Sequence, residues 1–128
     1  MANLTKRILI VEDQEDNRTI VRDVLSRADY DLIEAFNGED AVRLAQSEQA
    51  DLILMDIQLP GIDGYEATRR IKAIAELRSI PIIAVTSYAL SGDEAKAHAA
   101  GCDGYIAKPF SPRELLARVR KYLPEATG

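Results

Sequence analysis

The chain has 128 residues, 47% of them hydrophobic, enough for the core of one domain of ordinary size. Its 16 Lys and Arg against 21 Asp and Glu leave a formal charge of −5, which argues against a basic stripe for nucleic-acid phosphates or anionic lipid and favours a cationic ligand. A single Cys102 excludes an internal disulfide framework and, with one His at position 98, puts the usual zinc ligand sets out of reach, so any metal would be held by oxygen.

The amino terminus, "MANLTKRILIVED", has too few apolar residues for a signal peptide, and no stretch approaches the ~18 apolar residues of a membrane span. A cytoplasmic protein with no membrane or nucleic-acid partner is expected. Short apolar runs then alternate with segments of helical period: Ile8 to Val11, Leu32 to Ala35, Leu52 to Met55, Ile82 to Val85 and Tyr105 to Ala107. This is the signature of repeated βα units around a parallel sheet, five of each, in a single α/β domain over 1–128 with its core at about 7–122. "ILIV" and "LILM" are apolar on both faces, as inner strands should be, whereas the charge in "DLIEAF" predicts an edge.

The helical faces Ile20, Val21, Val24 and Leu25, then Ala67, Ile71 and Ile74, then Leu115, Leu116 and Val119 are expected to be core. Asp63 with Glu66 and Ser91 with Glu94 have capping-box spacing, Ser111 precedes a first-turn Pro112, and Asn37 can cap a short helix. Cys102 is expected to pack in the core, and His98 to face solvent on the fourth helix.

All strands of a parallel sheet point one way, so the residues after each run gather on one rim, where ligands of such sheets bind. Glu12 and Asp13 follow the first run, Asp56 the third, Thr86 and Ser87 the fourth, Lys108 and Pro109 the fifth. Singly, each has a plain explanation as a cap, a turn residue or a surface lysine. Together they put three carboxylates, a hydroxyl and an amine in one crevice. Clustered carboxylates stay ionised together only beside a cation, and a hard divalent ion prefers such oxygens.

The motifs "ILIVEDQEDN", "LILMDIQLPGIDGYE", "IPIIAVTSYA" and "GYIAKPF" make the chain resemble the receiver domains of bacterial two-component response regulators over about Arg7 to Tyr122. It is especially similar to stand-alone receivers of the cell-cycle-regulator and chemotaxis-regulator types. The resemblance implies a doubly wound flavodoxin-like sheet of order 2-1-3-4-5 and no output domain. It further implies that Asp56 accepts a phosphoryl group from a phosphohistidine, with Mg²⁺ (or Mn²⁺) held by Asp13, Asp56 and the Gln58 carbonyl and by Glu12 through water. Lys108 would balance charge, Thr86 and Tyr105 would form a switch, and Gln58 and Tyr88 would tune turnover. Pro109 matches the family's cis proline. The implied partners are a sensor histidine kinase or histidine phosphotransferase and a downstream protein target, with the chain a monomer or weak dimer.

Two further roles within that family are a phosphorelay intermediate and a phosphate sink. A phosphatase with an aspartyl-phosphate intermediate is disfavoured, because Gln58 stands where a second carboxylate would serve as acid or base. A flavodoxin-like carrier would place Glu12 and Asp13 against its cofactor's phosphate, and no P-loop motif is present.

Overall fold

Ile8, Leu9, Ile10 and Val11 are all buried, as a strand covered on both faces requires, and they form the second strand of the sheet. The computed structural model describes residues 5–87 and 93–123. In chain order the elements are β1 (Arg7–Val11), α1 (Glu15–Arg27), β2 (Asp31–Ala35), α2 (Gly38–Glu48), β3 (Leu52–Asp56), α3 (Gly64–Lys72), a 3-10 turn (Ala75–Leu77), β4 (Ile82–Thr86), α4 (Asp93–Ala100), β5 (Gly104–Ala107) and α5 (Pro112–Tyr122). The five strands are parallel in the order β2-β1-β3-β4-β5, so the charged strand does lie at an edge.

Alternation along the strands divides the core. Ile8, Ile10, Leu52, Leu54, Ile83, Val85 and Ile106 meet Leu25 of α1 and Leu115 and Val119 of α5 on one face. Leu9, Val11, Ile53, Met55 and Ala84 meet α2, α3 and α4 on the other, through Ala41, Ala45, Ala67, Ile71 and Ala97. Cys102 is buried in this second layer, and His98 is exposed on α4. No helix among the described residues is long and apolar enough to cross a membrane.

Three expectations need correction. Ile20 is 56% exposed rather than core, because at about 100° per residue it lies some 140° around α1 from the buried Leu25. Ile74 lies beyond the end of α3 rather than on its face, although it still packs, half-buried, against the core. The capping box at α3 is only half formed: Asp63 Oδ1 accepts from the Glu66 N–H at 2.9 Å, while the Glu66 carboxylate turns to Arg69 at 3.2 Å and Arg70 at 3.0 Å. Ionic partners one helical turn away compete better than the single backbone N–H behind it. Asn37 and Ser111 cap α2 and α5 by accepting from Asp40 N–H and Glu114 N–H at 2.7 and 3.0 Å. The proposed Ser91 cap lies outside the described residues.

Candidate functional site

The carboxyl rim of the sheet is assembled by strand register. Asp56 is the last residue of β3 and sits opposite Val85, so Thr86, one residue further along β4, stands beside it and in turn opposite Ala107. The Lys108 N–H donates to the Thr86 carbonyl at 2.7 Å, extending the pairing just far enough to aim Lys108 over the rim. The Lys108–Pro109 peptide is cis, as the motif implied. On the other side, the Glu12 N–H donates to the Ala35 carbonyl at 3.0 Å, which places Glu12 and Asp13 at the end of β1.

One carboxylate oxygen from each of Glu12, Asp13 and Asp56 lies within 4.8 Å of the others. Glu12 is 4% exposed and Asp56 5%, more enclosed than a strand exit suggests. Lys108 Nζ closes over both, 2.6 Å from Glu12 Oε1 and 3.6 Å from Asp56 Oδ2. The Glu12 carboxylate also accepts from the Gln14 N–H at 3.1 Å, and Asp13 from the Gln14 side-chain amide at 3.1 Å. Asp56 Oδ1 accepts from the Gln58 N–H at 3.0 Å, while the Gln58 side chain is exposed.

Two carboxylates this close cannot both ionise freely in so dry a place. Burial raises the Asp56 carboxyl and the adjoining Glu12 raises it further, to about 7, against the opposing pull of the Gln58 N–H and Lys108. Burial also penalises Glu12, but its hydrogen bonds, chiefly from Lys108, hold it below its ordinary value. Of the two, Glu12 is therefore the one that keeps its charge more readily, and Asp56 the one that holds a proton toward neutral pH. A hard divalent cation suits this donor set, since three carboxylates outweigh one ammonium and offer only oxygen.

Thr86 is buried at 3% exposure, not an ordinary loop hydroxyl. Tyr105 is half-buried on β5, on the side of the sheet facing α4. It lines a groove of about 760 Å³ between Glu94 and His98 of α4 and Arg118 and Lys121 of α5. The Tyr105 carbonyl accepts from the Arg118 guanidinium. Tyr88 lies outside the described residues.

Two residues at the site had no assigned role in the sequence. A Cβ at Gly64 would stand 2.3 Å from the Asp56 carbonyl oxygen and 2.7 Å from Ile57 Cα, so only glycine lets the start of α3 press against the backbone that carries Asp56. The quoted "GIDGYE" contains this residue, but nothing local says what it touches. The second is Arg18 of α1, whose Nη1 donates to the Glu12 carbonyl at 2.9 Å.

A family profile described as "Response regulator receiver domain" matches residues 8–120. The chain belongs to the response-regulator receiver family. Among curated relatives, the polar-differentiation response regulator DivK of Brucella ovis is 43% identical over 123 residues, which is 96% of this chain and 100% of that one. In structure the receiver is similar to the receiver domain of sensor histidine kinase PA1611 from Pseudomonas aeruginosa PAO1, solved with a magnesium ion coordinated in its active site cleft. That match has a TM-score of 0.88 and 40% identity, covering 94% of this chain and 99% of the other. Chemotaxis protein CheY4 of Vibrio cholerae matches with a TM-score of 0.88 and 26% identity over 92% of this chain and 98% of its own.

Proposed function

We propose that this receiver takes a phosphoryl group onto Asp56 from a phosphohistidine of a histidine kinase or phosphotransferase, and signals by a phosphorylation-dependent change at the α4, β5 and α5 surface. The observation that carries the reading is the cluster itself: Asp56, the last residue of β3, lies within 4.8 Å of Glu12 and Asp13 through one carboxylate oxygen each, with Lys108 Nζ 3.6 Å from its Oδ2. In the transfer, an Asp56 carboxylate oxygen forms the new O–P bond as the N–P bond of the donor breaks, and the imidazole leaves with that electron pair. Such a reaction asks for in-line placement and charge neutralisation more than for covalent help from the protein.

Asp13, Asp56 and the Gln58 carbonyl would hold Mg²⁺ or Mn²⁺, with Glu12 acting through water. Bound there, the ion supplies positive charge to the equatorial phosphoryl oxygens. The chain's own groups do the rest. The Gln58 N–H orients Asp56 through Oδ1. Lys108, tethered to Glu12, is within reach of Asp56 and can follow the new anion. The Thr86 hydroxyl would then donate to a phosphoryl oxygen, and Tyr105 would move into the space vacated, changing the groove that α4 and α5 border. Gln58 and Tyr88 would tune the water reaction that ends the signal. The recipient is a downstream protein, and the receiver acts as a phosphoacceptor in signalling rather than as an enzyme for an external substrate.

Incubation with a small phosphodonor and Mg²⁺, followed by peptide mass spectrometry, tests this. One hydroxylamine-labile phosphate on Asp56, absent from Asp56→Ala, is expected. Phosphate on Ser87, or undiminished labelling of the variant, refutes the assignment.

A further inference from the structure

Arg18 makes three contacts with one planar group. Its Nη1 donates to the Glu12 carbonyl at 2.9 Å, its Nε lies 3.4 Å from Glu34 Oε1 on the edge strand, and its guanidinium carbon stands 4.0 Å from the centroid of the Phe36 ring. The side chain is only 12% exposed. Glu34 is held in turn by Arg22, whose Nη1 lies 3.1 and 3.0 Å from its two oxygens. Phe36, 51% exposed, is thereby accounted for as the platform on which the guanidinium stacks.

The carbonyl that Arg18 grips lies in the plane of the Glu12–Asp13 peptide. The Glu12 N–H, in the preceding Val11–Glu12 peptide, is held on the Ala35 carbonyl, so the two rigid planes that meet at Glu12 Cα are each anchored; together they fix the direction in which the Glu12 side chain leaves the backbone and the position of Asp13 Cα. We infer that Arg18 is a positioning residue of the acidic site: it braces the Glu12–Asp13 peptide so that both carboxylates point at Asp56. Its contact with the site is the Glu12 backbone carbonyl rather than a carboxylate of the cluster, so its effect is geometric. Lysine cannot replace it, having neither a planar fork nor a face to stack.

This rests on the reading that the acidic cluster holds Mg²⁺, and the test separates the two. Mg²⁺ affinity is measured by isothermal titration in wild type, Arg18→Ala, Arg18→Lys and Phe36→Ala, alongside labelling rates from a small phosphodonor over a range of Mg²⁺. Both Arg18 variants are expected to bind Mg²⁺ roughly 10-fold more weakly, the lower end of the loss typical when a group that orients a metal ligand is removed. Phe36→Ala should shift the same way by less. The maximal labelling rate at saturating Mg²⁺ should stay within about twofold of wild type, because Arg18 touches neither Asp56 nor the donor. Unchanged Mg²⁺ affinity in Arg18→Ala, with any loss confined to thermal stability, overturns the inference. So does full affinity in Arg18→Lys, which would make charge the cause. Should Arg18→Ala fail to fold, the Lys and Phe36 variants decide the matter. Absence of Mg²⁺ binding to wild type would instead remove the metal reading on which the inference stands.

Discussion

Lys108 Nζ lies 2.6 Å from Glu12 Oε1, in a contact between residues 96 apart in sequence. The ammonium is committed to Glu12 and only near Asp56, at 3.6 Å. Removing it leaves two buried carboxylates facing each other without the ammonium that lies beside both. Lys108→Ala is therefore expected to lose about 1–3 kcal/mol of stability at pH 8, the cost of stranding a buried hydrogen-bonded charge. Mg²⁺ should bind at least as tightly as in wild type and restore most of that loss. Thermal melts with and without saturating Mg²⁺ check both; a melting temperature equal to wild type without the ion would show that Lys108 does not neutralise the pair.

The raised Asp56 carboxyl gives the site a pH dependence of definite sign. Between its ordinary value and about 7, the folded protein holds a proton that the unfolded chain has lost, so the Asp56 contribution to stability falls as pH rises through that window. Glu12 works the other way: its lowered value contributes stability above the unfolded carboxylate pKa, which is lost as pH falls through its folded value. Asp56→Asn should accordingly be more stable than wild type at pH 8, by about 1–3 kcal/mol, with the advantage fading toward pH 5. Denaturant titrations at the two pH values measure it, and an advantage equal at both would rule out this origin.

Because a cation must displace the same proton, Mg²⁺ affinity should fall below about pH 7, approaching tenfold per unit. Calorimetric titration in buffers of different ionisation enthalpy should show close to one proton released per ion at pH 6. A flat affinity from pH 6 to 8 would place the titration elsewhere.

Gly64→Ala should be costly even though a stiffer unfolded chain and a better helix former would each favour it, since the new Cβ would fall 2.3 Å from the Asp56 carbonyl oxygen. Either α3 moves or Asp56 does. Overpacking of this kind costs about 1–3 kcal/mol, and the displaced carboxylate should also slow phosphoryl labelling. Wild-type labelling in a destabilised variant would mean that α3 alone had given way.

Beryllofluoride with Mg²⁺ should mimic the phosphoryl group and alter partner affinity through Thr86 and Tyr105. Couplings of this kind are roughly 5- to 150-fold in affinity, and linkage makes them reciprocal. Thr86→Ala should bind Mg²⁺ as wild type does yet lose the coupling, and Tyr105→Ala should weaken it. Equal partner affinity with and without the analogue in wild type would favour a phosphorelay role, in which Asp56 passes its group on with no change of surface.

Much of this molecule was legible in one dimension. Five apolar runs and the helical periods between them predict βα repetition, and their order along the chain puts Glu12, Asp13, Asp56, Thr86 and Lys108 on one rim before any coordinate is known. Parallel strands share a direction, so a local signal of where each strand ends becomes a statement about a common site. Caps were readable in the same way at Asn37, Asp63 and Ser111, because a cap involves residues only three apart. Ile20 misled for a related reason: periodicity says which residues share a face, not how far round the helix its neighbours reach.

Relations between distant residues were settled only by the tertiary structure. Nothing in the sequence says that Lys108 bonds Glu12 rather than Asp56, that Gly64 lies against the Asp56 carbonyl, or that Arg18 grips the Glu12 carbonyl while stacking on Phe36. The same holds for the Asp56 proton, held up to about 7 by burial and by a neighbour 44 residues earlier in the chain. Sequence pattern carries period, direction and residue type, which determined the fold class and which strand ends meet on one rim. Contact distance and exclusion of water arise only when strands and helices from different parts of the chain pack together, and these decide which charges are paired, where a proton rests and which residue braces another.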